Sequence, residues 1–278
     1  MNLLILVVLY HVSPEESETL SSLQKSIETL GKGHHRLLLR DNSEHPYSID
    51  TLERLKMSLS PLNVHYWQDG ENKSLSAIYN IVIRQYLSEQ QHLVLLDHDS
   101  HFEEGFWKAL FESHQAHPHC SLFLPIIKQG SDIISPSWVH GFKGSYWKKK
   151  QYGLVTTRHS TAINSGMVIS GSYLKGGFEG YDENLRFYNT DNYFMWKYGQ
   201  QHTHFCVIRY TLQHTLNFYD PAETFDKKAR RYREMRTSAI YLARLKSFWL
   251  ALLMYLYYDV FSIKCAILNR EIRFIFLR

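Results

Sequence analysis

The chain has 278 residues, 44% of them hydrophobic and 21% charged, a globular balance with room for one large domain and an appendage. Three cysteines without paired spacing, Cys120, Cys206 and Cys265, exclude a disulfide-stapled scaffold and a cysteine zinc site, and they point to a reducing compartment. The net charge of +4 is divided unevenly: residues 227–278 carry 12 Lys/Arg against 3 Asp/Glu and the remainder 19 against 24, so a basic tail that suits an anionic surface follows an acidic body.

The opening "LLILVVLY" (3–10) is too short for a bilayer span, which needs ~20 apolar residues, and it lacks the basic flank and cleavage site of an export signal. It is expected to be a buried first strand of a cytoplasmic protein. Ser13 can cap the helix that follows, with Pro14 in its first turn and Gly31 at its end. "HRLLLRDNS" (35–43) reads as the second strand and "NVHYWQDG" (63–70) as the third. Residues 74–90 are expected to form a helix with Leu75, Ile78, Ile81 or Val82, and Tyr86 on one face. The fourth strand ends in Asp97-His98-Asp99. Alternating β and α units predict an α/β fold built on a mostly parallel sheet. In such sheets ligands bind at the carboxyl ends of strands, which gathers Tyr10, His11, Asp41, Asn42 and residues 97–99 around one crevice. The Gly-rich dinucleotide fingerprint is absent, and nothing points to nucleic acid.

Two carboxylates one residue apart repel each other unless a cation lies between them. Hard oxygen ligands suit Mg²⁺ or Mn²⁺, and a polar turn is the alternative. "HQAHPHC" (114–120) has histidines, but its irregular spacing and Pro118 read as a solvated loop.

In the second half, "GSYWKKKQYG" (144–153) is a basic, aromatic loop, either beside a phosphate or sugar or simply solvated. "STAINSGMVISGSYL" (160–174) alternates small polar and apolar residues. "GGFEGYDENLRFYNTDNYFMWKYG" (176–199) ends in a helix-like stretch holding Asp191, and "FCVIRYTLQH" (205–214) is a further strand ending near His214. In the tail, Tyr241, Leu242, Leu245, Phe248, Trp249 and Leu252 fall on one helical face, and the apolar run 248–258 stops at Asp259, too short for a lone span. With its basic residues the segment reads as an amphipathic anchor at an anionic membrane interface. A core-packing helix or a homo-oligomer contact is the alternative.

The motifs in order are an aromatic-polar pair after strand one, "DNS" after strand two, "NKSLSAIYN", "LLDHDS", "INSGMVIS", "GGFEGYDE", the acid within "FYNTDNYF" and "RRYREMR" (230–236). Over residues 3–240 this set resembles the inverting family 2 glycosyltransferases of GT-A fold, and within them the rhamnosyltransferase-like branch that builds bacterial surface polysaccharides. Ser74 stands where that group usually has Gly, and Asn192-Tyr193 where it often has a small residue and a second acid.

The resemblance implies a GT-A domain over 1–225 and a basic helical tail over 226–278. It implies transfer from a dTDP- or UDP-sugar, such as dTDP-rhamnose, to a lipid-linked saccharide acceptor. Asp99 would ligate Mn²⁺ or Mg²⁺, and Asp97 would hold the ribose or a metal-bound water. His214 would complete the metal shell, favouring Mn²⁺, unless it is a core histidine. Asp41 would accept from a pyrimidine N–H, the alternative being an Asx turn. Tyr10 would border the base, and Asn72 and Asn80 would order the loop beside the nucleotide, although Asn80 also reads as a helix residue with no ligand contact. Asp191 would be the base that deprotonates the acceptor hydroxyl. Asp182 and Glu183 would shape the acceptor loop. Asn164, Ser165 and Gly166 would floor the site, Gly166 letting substrate approach the backbone, with Trp138, His140 and Trp147 as sugar-stacking groups.

Two other readings use the same acids. A nucleotidyltransferase would want a Gly-rich phosphate loop with a cation near strand one, and "YHVSPEE" has neither. A non-catalytic nucleotide-sugar-binding partner would have no need for acids at 97, 99 and 191 together.

Overall fold

The computed structural model describes residues 1–31, 33–141, 143–213 and 223–277. The first half builds parallel units: β1 (Asn2–Leu9), α1 (Glu18–Leu30), β2 (Arg36–Asp41), α2 (Ile49–Ser58), β3 (Asn63–Trp67), α3 (Leu75–Ile81), β4 (Gln91–Asp97) and α4 (Gly105–Ala116). The second half adds β5 (Leu122–Gln129), β6 (Asp132–His140), β7 (Lys143–Trp147), β8 (Gly153–Thr156), β9 (Ser160–Thr161), β10 (Met167–Ser170), α5 (Gly171–Gly176), α6 (Thr190–Gln201) and β11 (His204–Gln213). The tail is α7 (Phe225–Lys246) and α8 (Phe248–Asn269).

The sheet runs β3-β2-β1-β4-β10-β5-β11-β8, with β6 branching from β5 to pair β7 and β9. Strands β3, β2, β1 and β4 are mutually parallel, whereas β10 is antiparallel to both β4 and β5. Strand alternation divides the core in two. Leu4, Leu6, Leu38 and Leu95 pack under α3 and α6, and Leu3, Ile5, Leu37, Leu39 and Leu96 pack under α1 and α4. Both faces of the central strands are therefore covered, as their unbroken apolar runs require.

Local chemistry sets the helix starts. Ser13 opens only a single 3-10 turn, Pro14–Glu16, in a capping box with Glu16. The helix proper begins one cap later, at Ser17, whose hydroxyl accepts from the Leu20 N–H. Helix α3 passes into a π turn over Val82–Tyr86, so Ile83 joins Val82 in the core.

The tail helices differ from the expected single face. The chain breaks at Ser247, which is extended (φ −168°), so Leu242 is buried in the main core while Phe248 and Trp249 are 72% and 71% exposed. Helix α8 continues through Asp259 to 22 residues, long and apolar enough by length and composition to cross a membrane, with a third of its most apolar stretch buried. It packs on α7 through Ala251, Met254, Tyr258 and Cys265. Helix α7 is bound to the body by Leu242, by Tyr241, whose hydroxyl donates to Asp182 Oδ2 (2.8 Å), and by Ser238, which accepts from Asn189 Nδ2 (2.8 Å).

Candidate active site

The carboxyl end of β4 is the centre of the site. Antiparallel register pairs Met167 with Leu95, which sets Ser165 opposite Asp97, and the Ser165 hydroxyl donates to Asp97 Oδ2. The turn after Asp97 is buckled to the start of α1. Ser17 Oγ donates to the His98 carbonyl (2.8 Å), Thr19 Oγ1 to the Asp97 carbonyl, and the Ser100 N–H to Thr19 Oγ1 (2.9 Å). These bonds fix the backbone while Asp99 stays exposed, with no hydrogen bond or ion pair among the described residues. A carboxylate held out on a fixed turn beside a second one can take a hard cation whose remaining ligands come from water and a diphosphate. Among the described residues no three metal-binding side chains converge. The expected third ligand, His214, lies outside the described residues.

Asp191 faces this turn from the first turn of α6. Asn189, in the left-handed conformation (φ 64°), precedes that helix, and Asn192 donates its backbone N–H to Asp191 Oδ1 at 2.7 Å. Its residue keeps partial solvent contact, yet the carboxyl group is packed round by protein. Burial raises the Asp191 pKa to about 6, the local N–H donors oppose that rise, and the Asp97 charge adds to it. The Asp97 charge therefore reaches the Asp191 carboxyl, and the two acids lie within electrostatic range of each other. The competing acids are engaged elsewhere: Asp182 accepts from Asn184 and Tyr241, and Glu183 accepts from Asn80.

Asn164 bridges to α6 by donating to Thr190 Oγ1 (3.1 Å), and its buried Oδ1 has no protein partner. Gly166 has φ 75°, and a Cβ there would lie 2.7 Å from Pro125 Cγ and 2.8 Å from Leu212 Cδ1. Core packing, not substrate approach, demands that glycine.

Of the residues expected to meet a nucleotide, Tyr10 is 42% exposed just past the end of β1. Asp41 has the Asx-turn geometry: fully buried, it accepts from the Ser43 N–H (3.0 Å) and the Tyr66 hydroxyl (2.7 Å), so both oxygens are engaged within the protein. Asn72 accepts from Asn42 Nδ2 (2.7 Å) in the exposed loop before α3. Asn80, expected to order the loop beside the nucleotide, clips the loop at Tyr181 and Glu183 instead. It donates to the Tyr181 carbonyl and Glu183 Oε1 and accepts from the Tyr181 N–H, which fills its amide. Trp147 is buried and packs on Trp138, which itself contacts the core, so these indoles are structural in this conformation. His140 is exposed at the end of β6, its ring 4.7 Å from that of His159.

Three residues of the site gave no motif. Arg40, fully buried, joins Asn42, Asp69 (2.7 Å) and the Glu71 carbonyl, stacks over Trp67 at 4.4 Å and so anchors the loop carrying Asn72. A cation inside the apolar run "LLLRD" is the signal for such a buried pair. Tyr79 is buried beneath the site, where burial raises its pKa, helped by the charges of Asp97 and Asp191. Thr19 had no distinguishing signal.

No protein-family model matches the sequence, and no curated protein does. Solved structures do match. The 1–349 fragment of S. aureus TarS superposes with TM-score 0.55 at 15% identity, over 86% of this chain and 70% of that one. The same fragment has been solved with UDP-GlcNAc. GalNAc-T7 with UDP, GalNAc and Mn²⁺ gives TM-score 0.60 at 12% identity, over 88% of this chain and 48% of that one. The mannosyltransferase PcManGT from Pyrobaculum calidifontis, with GDP-Man and Mn²⁺, gives 0.54 at 9% identity, over 99% and 85%. The fold is GT-A. This chain spans only 44% of the longer TarS chain and under half of GalNAc-T7, whereas the PcManGT match extends across the tail helices. Such identities carry the fold, and the chemistry rests on this chain's own residues.

Proposed function

We propose that the protein is a metal-dependent inverting glycosyltransferase, similar to the rhamnosyltransferase-like branch of family 2. It would move a sugar from a dTDP- or UDP-sugar to a lipid-linked saccharide at the cytoplasmic face of a membrane. The observation that carries this reading is the turn at the carboxyl end of β4, where Ser165 and Thr19 fix Asp97 and its backbone while Asp99 is held out exposed, with Asp191 within reach of the Asp97 charge. The ligands bound in the similar structures, UDP-GlcNAc, UDP with Mn²⁺ and GDP-Man with Mn²⁺, are of the class this site would take.

Asp99 would hold Mn²⁺ or Mg²⁺, with Asp97 beside it, and a bound cation supplies Lewis-acid stabilisation of a departing diphosphate. Ser165 keeps Asp97 in place. Asp191, with a pKa of about 6, is ionised at neutral pH and basic enough to accept the acceptor hydroxyl proton. Tyr10 would border the base. The exposed apolar residues of α8, Trp249, Leu253, Leu256, Val260 and Ile267, would lie in the membrane interface, with Lys264, Arg270 and Arg273 toward anionic headgroups. Free thiols at all three cysteines accord with a cytoplasmic location.

A panel of nucleotide-sugars assayed with and without Mn²⁺ for nucleoside diphosphate release tests this. Metal-dependent release from one donor, lost in Asp99→Asn, is the expected result. Metal-independent release, or release unchanged in Asp99→Asn, would overturn it.

A further inference from the structure

Asn189 stands immediately before α6 in the left-handed conformation (φ 64°), a backbone state that asparagine adopts more readily than most residues. An asparagine at this position ordinarily turns its side chain onto the free N–H groups of the first helical turn, but Asn189 makes no such cap. Its amide points two other ways. Nδ2 donates to Ser238 Oγ of α7 (2.8 Å), and Oδ1 accepts from Asn192 Nδ2 (3.1 Å). Ser238 is buried and donates to the Met235 carbonyl (3.0 Å), so its own helix fixes its hydroxyl. Asn192 Oδ1 accepts from Thr161 Oγ1 of β9 (2.6 Å). The Asn192 amide is thus held at both ends, by Asn189 and by Thr161.

The residue held in this way is the one that serves Asp191. Asn192 donates its backbone N–H to Asp191 Oδ1 at 2.7 Å and its Nδ2 to the same oxygen at 3.3 Å. Both bonds go to Oδ1, which leaves Oδ2 to receive a proton. Amide donors favour the ionised carboxylate, whereas burial disfavours it. A continuous chain of hydrogen bonds therefore runs from α7 through Ser238, Asn189 and Asn192 to the carboxyl group. Asn192 stands where the family 2 branch often has a small residue, which could not supply the side-chain links of this chain. The titratable groups that act on Asp191 from the surrounding elements are Asp97 of β4, the buried Tyr79 of α3 and the buried Tyr181 of the loop before α6. None of the three belongs to the chain of bonds from α7.

We infer that Ser238, Asn189 and Asn192 are positioning residues for the base, and that the tail helix α7 is thereby a part of the active site, replacing the missing cap of α6 and fixing the donors that hold the Asp191 carboxyl. The tail then does more than attach the protein to a surface: its docking on the body sets the geometry of the first turn of α6. The catalytic meaning of this chain rests on the glycosyltransferase reading, but its effect on Asp191 is present without turnover and can be measured that way.

The test is titration of the Asp191 carboxyl in the full chain, followed by carbon-13 NMR with labelled aspartate and assigned by the signal lost in Asp191→Asn. Asn189→Gly removes the amide alone, because glycine takes a positive φ without strain. It should raise the Asp191 midpoint by about half a pH unit, a roughly three-fold change in proton affinity. Ser238→Ala touches neither Asp191 nor Asn192 and should raise the midpoint in the same direction by a smaller amount. Ser238→Thr keeps the hydroxyl and should stay near wild type. The pH at which kcat/KM reaches half its plateau should move with the NMR midpoint in each variant. A merely structural role would lower stability and move neither. Unmoved midpoints in folded Asn189→Gly and Ser238→Ala proteins overturn the inference, as does a shift in Ser238→Thr equal to that in Ser238→Ala. Nucleotide release by the wild type separates the two proposals: its absence with every donor, beside NMR midpoints that move as stated, would sink the glycosyltransferase reading alone.

Discussion

The Ser165 hydroxyl donates to Asp97 Oδ2, so the carboxylate that closes β4 is held by the turn that opens β10. The antiparallel insertion of β10 between β4 and β5 makes this contact. A hydrogen bond to a charged group contributes about 1.5–3 kcal/mol. Ser165→Ala is therefore expected to lower the thermal midpoint by several degrees and Mn²⁺-dependent nucleotide affinity about ten-fold. Unaltered nucleotide affinity in a folded Ser165→Ala protein would show that Asp97 needs no such support.

Asp99 differs from Asp97 in having no protein partner to lose among the described residues. Asp99→Asn should thus leave stability within about 0.5 kcal/mol of wild type, as for a surface substitution, while reducing turnover by at least ~100-fold. Chemical denaturation and nucleotide-release rates measured on one preparation check both. A large stability loss would mean that Asp99 is structural.

Much of this arrangement could be read from the sequence, and what could not has a physical reason. Strand ends and the Asp97–Asp99 turn were legible because buried parallel strands leave long apolar runs that stop abruptly at polar residues. Asp41 and Asn80 were less so. A polar residue at a strand end or on a helix can serve a ligand or a neighbouring loop, and only the fold decides: Tyr66 and Ser43 occupy Asp41, and the loop at Tyr181 occupies Asn80. The tail face failed at one residue. Ser247 leaves the helix, which turns Phe248 and Trp249 away from the core that buries Leu242.

Asp191 links activity and stability to pH with opposite signs. Its pKa rises from 3.8 to about 6, chiefly through burial. As the proposed base, Asp191 must be ionised, so kcat/KM of wild type should climb as pH rises through about 6 and then level off. Folding favours the protonated form, so the stability benefit is full below about 4 and is lost as pH rises to about 6. At pH 7.5 the ionised, desolvated carboxylate costs up to about 3 kcal/mol, which Asp191→Asn removes. That variant should be inactive yet more stable than wild type at pH 7.5, with the difference vanishing near pH 4. Denaturant midpoints at the two pH values decide it, and equal differences at both would refute the linkage.

The loop around Asp182 is held from two sides, by Asn80 of α3 at Tyr181 and Glu183 and by Tyr241 of α7 at Asp182 Oδ2. Asn80 is the more buried clip, and its removal strands the Tyr181 N–H, so Asn80→Ala is expected to cost about 1–3 kcal/mol. Tyr241→Phe removes one partly exposed hydroxyl and should cost about 0.5–1.5 kcal/mol. Since both act on the same loop, their effects should not add: once one clip is gone the other restrains a segment already loose, and the double variant should fall short of the sum by at least about 0.5 kcal/mol. On the acceptor role proposed for this loop, both single variants should raise the acceptor KM several-fold and leave the donor KM near wild type. Additive stabilities together with a raised donor KM would place this loop against the nucleotide instead.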